Sequence, residues 1–208
     1  MKVLAIAAHP DDETLGCGGT LARHVLQGDE VTVMIMTDNF RSPDILSYAK
    51  DAMKVLGVQK HYFFAYPDST LEQKTILEMA ELVEHFVSKN VPDIVYTHYE
   101  HDLSIDHRIT FQVTLTVFRS VWNKPISIYA FEVPSGSDWG FHQFSPAHFV
   151  DISGTLETKL NALSCYETET RPFPHPRSEE SIRSRAKVWG SYSGLKAAEG
   201  FQVVRSVV

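Results

Sequence analysis

The strongest constraint on the fold is an alternation. Short apolar, β-branched runs take turns with longer stretches of helical spacing along the whole chain. Val3 to Ala8 stops at His9-Pro10, and the extended preference of residues before proline supports a strand there. Thr14 to Leu26 reads as a helix, Gly28-Asp29 breaks it, and Val31 to Thr37 reads as a second strand. Pro43 stands where a second helix begins, and Gly57 ends that helix ahead of a strand at His61 to Tyr66. Leu71 to Lys89 carries Ile76, Ala80, Val83 and Val87 on one helical face, and Pro92 precedes a strand at Asp93 to Thr97. A helix is expected from His107 to Trp122, with strands at Ile126 to Val133 and Phe149 to Ile152. Helices at Leu156 to Tyr166 and Ser178 to Tyr192, and a strand at Phe201 to Arg205, complete the series. Each crossover needs a covering element, so the expected class is α/β, a mostly parallel sheet with helices on both faces. One domain over residues 1–208 accounts for the whole pattern. Ligands in such sheets bind beyond the carboxyl ends of the strands, where strand order reverses.

Composition narrows the partners. A hydrophobic share of 43 % over 208 residues suffices for one sizeable core. Acidic residues outnumber basic ones, 26 to 19, which argues against nucleic acid or an anionic membrane as the main partner. Cys17 and Cys165 stand far apart with no Cys-x-x-Cys pair, which suggests neither a disulfide framework nor a thiolate zinc site and points to a reducing cytoplasm. The chain enters its first apolar run directly after Met1-Lys2, without the features of a cleavable leader. No apolar run reaches the roughly 18 residues of a membrane span, so none is expected.

The densest chemical cluster is His9-Pro10-Asp11-Asp12-Glu13, at the tip of the first strand. His9 and Asp12, three apart on a turn, can face one ion, while Asp11 projects differently and stays free to handle a proton. The same carboxylates also suit the positive end of a helix, yet three in a row repel one another unless a cation relieves them. A second cluster runs from His98 to His107 after the fourth strand. With His107 as third ligand the set becomes two imidazoles and one carboxylate with open positions, the composition of a catalytic zinc centre and equally of a non-haem ferrous site.

These residues resemble those of the PIG-L/LmbE-like metal-dependent N-deacetylases. The stretch Ala8-His-Pro-Asp-Asp-Glu-Thr-Leu-Gly-Cys-Gly-Gly is similar to that family's first motif, and Asp102 to Arg108 to its second. The likeness continues through Thr37-Asp38, Leu56-Gly57-Val58, Pro67-Asp68, Pro92 to His98, Glu132 to Ser135 and Pro174 to Ser178, so it covers nearly the whole chain. The resemblance implies a Rossmann-like fold and zinc-dependent (Zn2+) removal of an N-acetyl group from an amino sugar or sugar conjugate. It assigns the metal to His9, Asp12 and His107, the general base to Asp11, and a substrate contact to Arg41. Ser104 is a departure, because many members carry a histidine there that polarises the amide carbonyl. His175, between Pro174 and Pro176, is the candidate replacement, with Asp106 orienting it or another nearby imidazole.

Trp139 and Phe141 lie in a long loop and suit either an aromatic platform for a sugar ring or the edge of a core. Arg41, Arg108 and Arg177 suit a phosphate on a nucleotide-sugar, with solvated or salt-bridged roles expected for at least two of them. Asp68 suits sugar hydroxyls or a turn cap. Gly16, Gly18 and Gly19 do not complete a dinucleotide fingerprint and suit close helix-to-sheet packing. Hydrophobic loops of this kind often meet a neighbour, which keeps a homo-oligomer open. The competing readings are a carbohydrate-binding protein without turnover and a ferrous oxygenase built on the same ligands.

Overall fold

The computed structural model describes residues 1–38 and 43–207, so the expected contact from Arg41 lies outside the described residues. Strand β1 (Lys2–Ala7) is apolar on both sides because both sides are covered. Val3, Ala5 and Ala7 enter one core, while Leu4 and Ile6 enter the other. Around it lie β2 (Glu30–Thr37), β3 (Lys60–Tyr66), β4 (Ile94–His98), β5 (Ser127–Phe131), β6 (His148–Asp151) and β7 (Ala198–Arg205). They form one sheet in the order β3-β2-β1-β4-β5-β7-β6. The first five strands run parallel, and β7 runs antiparallel to both β5 and β6.

Helices α1 (Asp12–Leu26), α2 (Ile45–Leu56), α5 (Leu156–Ser164) and α6 (Glu179–Ser193) cover one face of the sheet through Leu21, Met53, Leu160 and Ile182. On the other face lie α3 (Ile76–Val87) and α4 (Ile105–Val117), with Val83 and Val113 against Ile6 and Met34. The chain winds outward from β1 to β3, then crosses to the other side of β1 for β4. Strand order therefore reverses between β1 and β4, whose tips carry His9 and His98.

Two elements differ from the sequence expectation. The helix expected from Leu71 splits into a 3-10 turn, Leu71–Gln73, and α3, because the Thr75 side chain accepts the Glu78 N–H and starts a new helix there. Helix α1 begins at Asp12, earlier than expected, and kinks at Cys17 (φ −140°, ψ 17°). The kink bares the N–H groups of Gly19 and Thr20, which donate to the Glu199 carboxylate at 3.0 and 2.7 Å. Lys159 Nζ neutralises that carboxylate at 2.6 Å and donates to the Leu15 carbonyl at 2.7 Å. A Cβ on Gly16 would stand 2.2 Å from the Phe131 ring, so that glycine serves close packing of helix on sheet.

Candidate metal centre

Three donor atoms converge at the switch point. His9 Nδ1 lies 3.1 Å from Asp12 Oδ2, Asp12 Oδ2 lies 3.1 Å from His107 Nε2, and His107 Nε2 lies 3.1 Å from His9 Nδ1. The far nitrogen of each imidazole faces carboxylate. His9 Nε2 stands 3.0 Å from Asp68 Oδ1 and 3.2 Å from Asp106 Oδ2, and His107 Nδ1 stands 3.1 Å from Asp102 Oδ1. Asp106 bonds the outer nitrogen of His9 and the Asp102 charge favours the proton on the outer nitrogen of His107, so the inner nitrogens face one spot together with Asp12. Ligands about 2.0–2.1 Å from a tetrahedral ion stand about 3.3 Å apart, close to the spacing seen here. Asp12 Oδ1 is buried with no hydrogen-bond partner among the described residues, which adds a further unspent lone pair. The donor set fits a divalent cation.

The electrostatics agree. Burial opposes charge on His107, but Asp12 and Asp102 outweigh it and lift its pKa to about 9. Burial likewise opposes charge on His9, yet Asp106, Asp12 and Asp68 hold it well above the usual histidine range. The same histidines hold Asp12 well below the usual carboxylate range against its burial. Positive charge is favoured at this spot.

Local sequence explains the placement. Asp11 precedes α1 with φ 111°, a left-handed conformation rare for a non-glycine residue. Glu13, buried, holds it there. One Glu13 oxygen accepts the Asp11 N–H at 3.1 Å, and the other accepts from Tyr166 and Thr14 hydroxyls at 2.7 and 2.5 Å. Asp12, first residue of α1, accepts the His9 N–H at 2.9 Å and sits at the positive helix end. Asp106 is pinned by the N–H groups of Ser69 and Leu71 at 2.8 and 3.2 Å, and Asp102 by Ser137 Oγ and the Ser104 N–H at 2.7 and 2.9 Å. Asp106 thus serves the imidazole of His9 and not that of His175.

Asp11, between two of the donors in sequence, turns its carboxylate away from them. Its Oδ2 meets Arg177 Nη1 at 2.7 Å, while Arg177 Nε donates to Ser135 Oγ and the Pro134 carbonyl at 3.2 and 3.3 Å. Burial raises the Asp11 pKa to about 8, with Asp12 and Glu13 adding to the rise and Arg177 opposing it. Beside Asp11 opens a polar cleft of about 550 Å³, lined by His9, Asp44, Tyr48, Asp68, Arg171 and Arg177 among others.

The remaining expected residues lie further out. His175 Nδ1 accepts the Arg177 N–H at 3.1 Å, and no hydrogen bond or ion pair joins it to the three donors among the described residues. Trp139 is 73 % exposed and lines no wall of the cleft. Arg108 is spent on the carbonyls of Asp102 and Leu103 at 2.6 and 2.9 Å. Ser104 caps α4, its hydroxyl accepting the His107 N–H at 3.4 Å. Sequence reasoning gave no role to His98, which stacks on His107 with centroids 4.0 Å apart and accepts the Ala8 N–H at 2.8 Å. Burial and the nearby His107 keep His98 well below the usual histidine range, so it packs as a neutral ring.

Comparison with known proteins bears on this geometry. The profile of the family described as PIG-L: GlcNAc-PI de-N-acetylase matches residues 4–118. The chain is 26 % identical to the diacetylchitobiose deacetylase of Thermococcus kodakarensis, over 99 % of this chain and 84 % of that protein. Among solved structures it is similar to the N,N'-diacetylchitobiose deacetylase of Pyrococcus horikoshii, with TM-score 0.80, 23 % identity and coverage of 98 % and 83 %. It is also similar to GalB, the 4-carboxy-2-hydroxymuconate hydratase of Pseudomonas putida KT2440, with TM-score 0.79, 19 % identity and coverage of 100 % and 97 %. The fold alone therefore does not choose between hydrolysis and hydration.

Proposed function

The chain belongs to the PIG-L family, and from that premise we propose that it is a zinc-dependent deacetylase that hydrolyses the N-acetyl group of an amino-sugar compound. The observation that carries this reading is the triad His9 Nδ1, Asp12 Oδ2 and His107 Nε2, mutually 3.1 Å apart, beside a buried carboxylate that is not one of the donors. Zinc, when bound by these residues, supplies Lewis acidity: it eases deprotonation of water and polarises the acyl carbonyl.

The chain's own groups do the rest. Asp11 takes the proton of the attacking water, and Arg177 holds the carboxylate in place for it. A base titrating near the working pH is the efficient one, and Arg177 opposes the burial that lifts Asp11 to about 8. Ser104 is occupied as a helix cap, so the donor to the carbonyl oxygen comes from the C-terminal segment, where His175 takes that role through its Nε2. Asp11 or His175 then returns the proton to the departing amine. The polar cleft receives the sugar. Two unpaired cysteines suit a reducing cytoplasm as the place of work.

The test is amine release from a panel of N-acetylated sugars and sugar conjugates by zinc-reconstituted protein. Asp11→Asn should keep the metal and lose about two to four decades in kcat. Panel-wide silence despite stoichiometric metal would turn the reading toward a sugar-binding protein without turnover.

A further inference from the structure

Next to Asp11 lies a second pocket, much tighter than the polar cleft. Leu15, Leu160, Leu163 and the ring of Tyr166 form its apolar side, Ser164, Thr170 and Glu179 belong to its polar side, and the Tyr166 hydroxyl is already spent on Glu13. Asp11, Glu169 and Arg177 line both spaces, so the two adjoin at the carboxylate proposed as the base. Resting on the deacylase reading above, we infer that this chamber receives the acyl chain of the substrate, and that the enzyme accepts straight acyl groups longer than acetyl.

The argument is one of direction. The carbon under attack must sit within reach of both Asp11 and the three donors. Its amine side carries a wide, hydroxylated sugar, which matches the cleft bounded by Asp44, Tyr48, Asp68 and Arg171. The acyl side leaves the same carbon the other way. Among the described residues, this pocket is the one that sets leucine side chains beside Asp11. The reaction itself is unchanged. The amide C–N bond breaks, water oxygen joins the acyl carbon, its proton goes to the amine, and the products are free amine and a short-chain carboxylate. Each methylene taken out of water there offsets its own bulk by about fourfold in binding.

The experiment compares kcat/KM for N-acetyl-, N-butyryl- and N-hexanoyl-glucosamine in metal-loaded wild type, Leu163→Phe and Leu163→Ala. Leu163 is chosen because it is only partly buried. Wild type should handle the hexanoyl compound at least as well as the acetyl one. Leu163→Phe should lower the hexanoyl-to-acetyl ratio at least tenfold, and Leu163→Ala should raise it. Acetyl turnover with a steep fall at butyryl in wild type would overturn the chamber assignment and leave the deacetylase reading standing. Calorimetric binding of hexanoate against acetate separates the two readings further. A hexanoate preference lost in Leu163→Phe, without turnover of any amide, would uphold the chamber and remove the deacetylase. Equal binding of the two acids would overturn the chamber.

Discussion

Two buried charged clusters touch one kinked helix, one at its start and one at its kink, and their carboxylates are held on opposite principles. Both oxygens of the Glu199 carboxylate have partners: two backbone N–H groups and Lys159 Nζ meet them, and Lys159 also serves the Leu15 carbonyl. Around Asp12 the donors are supported from outside by Asp68, Asp102 and Asp106, yet their inner lone pairs face one another, and Asp12 Oδ1 is unpartnered among the described residues. A closed network fixes structure. A network left open toward one point, at a cost in desolvation, is the mark of a site that receives a ligand.

The sharpest way to break that contrast is Asp12→Asn. It should reduce bound metal from one ion per chain to near zero and take activity below detection, while the ion-free protein unfolds at about the wild-type denaturant midpoint. Retention of one tightly bound ion, measured by metal analysis after dialysis, would place the ligands elsewhere. Lys159→Met is the mirror experiment, since it leaves Glu199 buried without its cation. It should cost about 3–5 kcal/mol in urea unfolding, with kcat per folded molecule unchanged; a selective loss of kcat would make the two clusters one unit. Asp102→Asn, which removes the carboxylate behind His107, should weaken metal affinity about 10–100-fold in a chelator competition. A smaller change would mean that stacking on His98 alone fixes the ring.

The smallest effect concerns His24, whose Nδ1 meets Asp29 at 2.7 Å and whose Nε2 meets the Tyr96 hydroxyl at 3.0 Å. Burial lowers its pKa from 6.5 even though Asp29 opposes the shift. The unfolded chain therefore takes up this proton first as pH falls. The stabilisation is fully present above about pH 6.5 and declines below it. Unfolding of His24→Gln should lose this component between pH 7.5 and 5; an identical slope in wild type and variant would remove His24 from the account.

Much of the site was legible because its chemistry is concentrated in two short segments. His9, Asp11, Asp12 and His107 could be singled out by residue type and spacing, and the structure brings the three expected ligands together. The supporting carboxylates were harder, because nothing local says which imidazole a carboxylate will face. Asp106 adjoins His107 in sequence but serves His9, since the first turn of α4 points it across the gap to β1. Glu13 read as one more acid of the motif, whereas its work is to hold the Asp11 backbone, a contact that needs Tyr166 from the far end of the chain. The parallel part of the sheet followed from alternation alone. The insertion of β7 between β5 and β6 did not, because antiparallel pairing across so long a separation is set by tertiary packing and leaves no local period.

The helix kink and the switch point together divide the labour of the chain. All three donors and their carboxylate supports come from residues 9–107, whereas Leu160, Leu163, Tyr166, Glu169 and Arg171, which shape the spaces around Asp11, come from a later stretch. Substitution in that later stretch can therefore reshape these spaces while the three donors stay untouched, and Arg177 is the thread through which such drift would first be felt at Asp11.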